Sequence, residues 1–222
     1  MDQIDDALGQ IRLVLDRPRL RGRLHLLAAV VSVAGLVWLV RSAASPEATV
    51  AAWVYGVTSV LLYLTSGTYH VFARTARARR IMQRADHSMI YLLIAGSATP
   101  VALLLLDGWW RAALLGLMWA GAVTGVVVKL VAFDRLKKLG GTLYIVLGWA
   151  GVLAFPALWS RPLSLALFAG GGILYTVGAA LFAAGRPRLS SRWFGYHEVW
   201  HTFGVAAGAL LFASNLGLIR AG

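Results

Sequence analysis

Two histidines four residues apart, His197 and His201, stand in the stretch HEVWH at 197–201. Residues at that spacing lie one above the other on one face of an α-helix, so both imidazoles can turn toward a single divalent cation. The chain has no cysteine. Thiolate ligation is thereby excluded, and any metal must rest on histidine or carboxylate groups. An almost unbroken apolar run, TFGVAAGALLFASNLGLI, follows the pair and puts it at the mouth of a membrane-length helix. Further ligands must arrive from other elements, and composition says what kind of elements these are.

Of 222 residues, 59% are apolar and only 14% are charged, where a soluble domain carries about a quarter charged residues. The apolar residues come in blocks instead of at helix or strand spacing, and each block is long enough to cross a hydrocarbon core. The blocks lie near 24–40, 50–72, 86–106, 109–128, 141–159, 163–185 and 197–219. They predict an all-α bundle of seven transmembrane helices behind a polar arm at 1–23. The first block resembles the core of a signal peptide, with SAAS at 42–45 as a faint cleavage site. Its length, and the six blocks after it, make it a retained span.

The net charge of +12 does not point to nucleic acid, because the basic residues sit at the ends of the blocks. Arg12, Arg17, Arg19, Arg21 and Arg23 precede the first, and Arg74, Arg77, Arg79, Arg80 and Arg84 fill the turn between the second and third. Lys129, Arg135, Lys137 and Lys138 flank the loop after the fourth, and Arg186, Arg188 and Arg192 precede the seventh. The other side holds only Arg41, Arg111, Arg161 and Arg220. Seventeen against four is a strong positive-inside bias. It places the N-terminus in the cytoplasm and the C-terminus outside, with the excess charge facing anionic lipid headgroups. Trp38, Trp53, Trp109, Trp110 and Trp159 then fall near the outer boundary as interface anchors. Pro100 and Pro156 should bend the third and fifth helices. The G-x-x-x-G pairs Gly121/Gly125 and Gly204/Gly208 offer places for close helix contact.

All five histidines fall at the cytoplasmic ends of their helices, although the side assignment made no use of them. His25 and His87 are read as hydrated at headgroup depth. His70 differs, because it precedes the Arg-rich turn with Ser66 one turn deeper on the same face. Zinc held by His70, His197 and His201 keeps one tetrahedral position open, as catalytic sites do. Asp86 is then the natural acid–base or orienting group beside the metal, and Ser66 a hydrogen-bond donor. A rival reading takes HEVWH as the H-E-x-x-H signature of zinc peptidases, with Glu198 as base. Glu198 is one step round the helix from His197, however, and the Asp107-Gly108 pair lies a full helix length away.

At this point the residues resemble a known family. SGTYH (66–70), ADHSMIYLLIAGSATP (85–100), LYIVLGW (143–149) and FGYHEVWHTFG (194–204) are similar to the hemolysin III branch of the progestin and adipoQ receptor family. The similarity runs from about residue 19 onward. It implies seven membrane helices with a cytoplasmic N-terminus, in a multi-pass protein of the bacterial plasma membrane. In receptor members of the family, zinc is bound by one histidine of the second helix and two of the seventh, which match His70, His197 and His201. The family aspartate and serine match Asp86 and Ser66. In the first family motif His25 is kept, while Pro18 and Arg21 stand where a glutamate and an asparagine are usual. A wider kinship with alkaline ceramidases implies hydrolysis of a lipid amide or ester, with a lipid or acyl substrate. The alternatives are a receptor-like or cytolytic, pore-forming protein whose zinc is structural, and an intramembrane zinc protease.

Overall fold

The computed structural model describes residues 18–190 and 192–222. Most of the arm expected at 1–23, Arg12 and Arg17 included, lies outside the described residues. Helices α1 (Arg23–Arg41), α2 (Pro46–Phe72), α3 (Ala76–Leu105), α4 (Gly108–Val131), α5 (Lys137–Ala150), α6 (Phe155–Leu158), α7 (Pro162–Ala183) and α8 (Tyr196–Ala221) follow in order. A 3-10 turn, Gly151–Ala154, joins α5 to α6, and the two helices together make the fifth of seven spans long and apolar enough to cross a membrane. The protein is an all-helical, multi-pass membrane bundle.

Of the helices that begin earlier than the apolar pattern places them, α2 and α3 do so with a side-chain cap. At α2, Ser45 Oγ accepts the Ala48 N–H at 3.1 Å, Pro46 opens the helix and Glu47 lies in its first turn, three features that favour an N-terminus. At α3, Thr75 Oγ1 accepts the Ala78 N–H at 3.1 Å, and the Ala- and Arg-rich stretch behind it is a good helix former. Arg77, Arg79, Arg80 and Arg84, expected in a turn, are therefore helical. Hydropathy alone does not register a helix that runs on past the apolar layer.

The two prolines act differently. The 3-10 turn lies just ahead of Pro156, where the ring would meet a carbonyl four residues back. Pro100 is buried within α3, which continues past it. There Asn215 of α8 donates from Nδ2 to the Ser97 carbonyl at 3.3 Å, an outside donor close to where the proline removes one.

Helix α3 lies at the centre, against α2, α4, α5, α6 and α8, while α1 packs along α2 and α7 along α8. Lipid tails are as apolar as leucine, so close fit rather than hydrophobicity holds such helices together. The glycine pairs supply that fit by admitting side chains, not facing backbones. A Cβ on Gly125 would lie 2.4 Å from the Tyr91 ring, and one on Gly208 would lie 2.0 Å from the Tyr63 hydroxyl. Tyr63 in turn donates to the Gly204 carbonyl at 3.4 Å.

The basic segments meet at one end of the bundle. The Arg19 N–H donates to the Arg192 carbonyl at 3.0 Å, the Leu20 N–H to the Trp193 carbonyl at 3.3 Å, and Arg84 Nη1 to the Leu130 carbonyl at 3.0 Å. At the far end the Ala44 N–H donates to the Ile219 carbonyl at 3.2 Å. Trp38, Trp53, Trp109, Trp110 and Trp159 are all exposed.

Candidate functional site

His70 lies in the last turn of α2, and His197 and His201 open α8. The antiparallel run of the helices brings these ends to the same basic end of the bundle, and the three rings form a triangle. Their centroids are 4.7 Å apart for His70 and His197, 4.9 Å for His70 and His201, and 4.8 Å for His197 and His201. Nε2 of His197 and Nε2 of His70 are 3.2 Å apart, one donating to the other. One nitrogen from each ring lies within 4.8 Å of the others. Four ligands about 2.0–2.1 Å from a tetrahedral zinc stand roughly 3.3 Å from one another. The closest pair thus already has the spacing of two ligands, and an all-nitrogen set suits zinc among several divalent metals.

The N-terminal strap braces His70. Gly22, the residue before α1, has φ +78°, and a Cβ there would come within 2.5 Å of the His70 Cβ. Both the left-handed backbone and the contact require glycine.

Asp86 is buried near the start of the membrane-embedded part of α3, with Oδ2 3.8 Å from His70 Nε2. Ser66, buried one turn deeper than His70 on α2, lies close to the Asp86 side chain. The structure thus brings together all five residues singled out by the sequence: His70, His197, His201, Asp86 and Ser66. Asp86 is not among the groups whose ligand atoms all lie within 4.8 Å of one another, so its place is that of an outer neighbour to a metal held by the three rings.

Glu198 has a different part. Its Oε2 accepts the Gly195 N–H at 2.7 Å, closing the first turn of α8 as in a capping box, and its Oε1 pairs with Arg21 Nε. Both oxygens are committed, and the side chain is buried. The carboxylate that a zinc peptidase would use as base holds the helix N-terminus and ties it to the strap. Asp107 is exposed and paired with Arg111 at 3.0 Å, far from the histidines along α3.

The hydrated reading does not hold for His25. It is 6% exposed and stacks on His201, with ring centroids 3.9 Å apart and planes within 7°. Its edge meets Tyr63 at 5.3 Å. His87 is half-buried, turned to Phe133 at 5.2 Å, and its carbonyl accepts the Tyr144 hydroxyl at 2.8 Å. Arg21 and His25 are the two neighbours of the site that sequence reasoning left without a role. Arg21 lies in the turn before Gly22 and His25 in the first turn of α1, so no helical spacing in the sequence links the two.

Residues 13–212 match the family described as haemolysin-III related. A protein from Bacillus cereus named Hemolysin-3 is 33% identical over 193 residues, which cover 85% of each chain. A Hemolysin-3 homolog from Bacillus subtilis (strain 168) is 31% identical over 193 residues, covering 85% of this chain and 87% of that one. The human monocyte to macrophage differentiation factor is 22% identical over 190 residues, with 84% of this chain and 77% of that one covered.

Proposed function

The chain belongs to the haemolysin-III-related family of membrane proteins, and from that premise we propose that it is a zinc-dependent hydrolase of a lipid amide or ester, working at the cytoplasmic face of a bacterial membrane. The observation that carries this reading is the convergence of three imidazole nitrogens with a buried carboxylate held 3.8 Å from one of them. His70, His197 and His201 would hold the metal. When bound, zinc supplies a Lewis acid that lets water act as a nucleophile near neutral pH.

The remaining work falls to the chain's own residues. Asp86 takes a proton from the water as its oxygen attacks the acyl carbonyl, then returns it to the departing amine or alcohol oxygen. Ser66, close beside Asp86, can donate to the carboxylate and keep it turned toward His70. The apolar helices around the cluster limit the water that reaches it.

The test combines metal analysis with turnover. Purified protein should carry about one zinc per chain, and His70→Ala, His197→Ala or His201→Ala should each lower it, since two ligands make a weak site. His87→Ala should not. Asp86→Asn should keep the metal and lose turnover about 100-fold or more, the range for one acid–base group. Turnover is read as fatty acid released from labelled ceramides, phospholipids and acyl esters in nanodiscs. The names of the two Bacillus relatives favour a second reading, a cytolytic protein with structural metal. Zinc-replete protein that lyses vesicles and releases no fatty acid would decide for it.

A further inference from the structure

The three candidate ligands come from two helices, His70 from α2 and His197 and His201 from α8. Helix α2 lies along α1 and α3, and α8 lies along α7, while α2 and α8 touch each other only over a short stretch. How far one is slid along the other is therefore set by few side chains. The same slide sets the spacing of the histidine rings. One residue along a helix axis is about 1.5 Å, whereas a metal–ligand distance tolerates only about 0.2 Å.

Tyr63 is one of those side chains, and it meets α8 in a notch. It stands two turns from His70 on the same face of α2, since seven residues return a helix to that face. Its hydroxyl takes the place of the side chain that Gly208 lacks, where a Cβ would lie 2.0 Å from the oxygen. The Gly204 carbonyl accepts from the same hydroxyl at 3.4 Å, a long bond that adds direction to the steric seat. Tyr55, two turns further from the cluster, donates to the Gly208 carbonyl at 3.5 Å. The glycine pair of α8 is thus a socket for α2, and it begins three residues after His201.

A second contact leads from the same tyrosine to a ligand ring. The Tyr63 ring meets the edge of His25 at 5.3 Å, and His25 lies face to face with His201 at 3.9 Å, with planes within 7°. All three residues are buried. In a close-packed interior the His201 ring cannot turn without displacing His25, and Tyr63 stands against His25. An imidazole binds metal through a lone pair in its own plane, so the neighbours that hold that plane hold the ligand.

We propose that Tyr63 is a positioning residue of the metal centre. Seated on Gly204 and Gly208 and set against His25, it fixes the register of α2 on α8 and the plane of the His201 ring. The inference deepens the metal half of the proposed function and rests on the cluster holding a metal, but on no step of the hydrolysis.

The test uses the full chain in nanodiscs loaded with Co²⁺, whose visible absorption reports ligand number and geometry, together with zinc affinity measured against a chromophoric chelator. Tyr63→Leu removes the hydroxyl and the ring edge together. It should weaken zinc binding about ten-fold or more, the range for neighbours that orient ligands, and shift the Co²⁺ bands. Tyr63→Phe keeps the ring against His25 and should recover part of the affinity. Tyr91→Phe is the control for stability alone. Tyr91 is buried and donates to the Gly140 carbonyl at 2.7 Å, a bond between α3 and α5, neither of which carries a candidate ligand histidine. Its loss should lower the thermal midpoint and leave the Co²⁺ spectrum and zinc affinity unchanged.

A wild-type spectrum and affinity in Tyr63→Leu would overturn the proposal. So would equal losses in Tyr63→Leu and Tyr91→Phe, which would mean general loosening of the bundle. If Tyr63→Leu does not fold, Tyr63→Phe decides alone, and an unchanged Co²⁺ spectrum there overturns the proposal. Wild-type protein that takes up no Co²⁺ would remove the metal reading and this inference with it. A metal-replete site with no lipid turnover, perturbed in Tyr63→Leu and intact in Tyr91→Phe, would leave the part of Tyr63 standing and remove only the hydrolysis.

Discussion

Glu198 shows how one residue type in one motif serves two chemistries, depending on what its oxygens meet. With Oε2 on the Gly195 N–H and Oε1 on Arg21, its value here is structural. Arg21→Ala should leave a buried carboxylate with one hydrogen bond and destabilise the protein by about 3 kcal/mol, the low end for breaking a buried pair, since Arg21 is one-fifth exposed. Glu198→Gln keeps an acceptor for Gly195 and should cost less, about 1–3 kcal/mol. Thermal unfolding in detergent should record both losses. Turnover per folded, zinc-loaded molecule should stay near wild type in Glu198→Gln, because Asp86 faces the cluster and Glu198 does not. A large fall in turnover with unchanged stability would return Glu198 to the role of base.

At the scale of elements, the site is built from the ends of three helices and a strap. Helix α2 brings His70 and Ser66 on one face, α8 brings His197 and His201, α3 brings Asp86, and residues 18–22 lie over them. The strap is held to the α7–α8 loop by the backbone hydrogen bonds of Arg19 and Leu20, and by Arg19 lying 4.8 Å over the Trp193 ring. Gly22 is the point of closest approach. Gly22→Ala should impose roughly 1–2 kcal/mol for a left-handed backbone, with the clash against His70 added to it. The variant should therefore lose both thermal stability and zinc content. Gly208→Ala meets the Tyr63 hydroxyl and should lower stability by about 1–3 kcal/mol, as overpacking does. Wild-type zinc in Gly22→Ala would show that the strap covers His70 without bracing it.

For the whole molecule, the side on which the basic end lies decides where any substrate is met. Reporter fusions after residue 79 and after residue 222 should give opposite readouts, cytoplasmic and external, because an odd number of spans separates the two points. Equal readouts would remove the side assignment and leave the cluster itself intact. Helix α3 is the frame for the whole arrangement. It packs against five other helices and carries Asp86 at one end and Pro100 toward the other. A substitution in its small-residue stretch, Ala95 to Thr99, should therefore disturb α2, α4 and α8 together.

Seven spans and three histidines positioned to hold a metal ion were legible in the chain before any fold was known. Span length is a property of a single segment set against the bilayer, and i, i+4 neighbours are fixed by helix geometry alone. Depth also followed, since the charged ends mark where each helix leaves the apolar layer. His70 could thus be matched with His197 and His201 across more than a hundred residues. What needed the tertiary structure was every contact that depends on how one helix is rotated against another. His25 and His87 look alike in sequence, each at the start of its apolar block. Only the packing of α1 on α8 sets one against His201, while α3 turns the other to Phe133. Glu198 carries the same motif in either chemistry, and its commitment to Arg21 was decided by where the strap crosses α8. Apolar pattern reports that a helix is buried in lipid; it does not report which of its faces meets which neighbour.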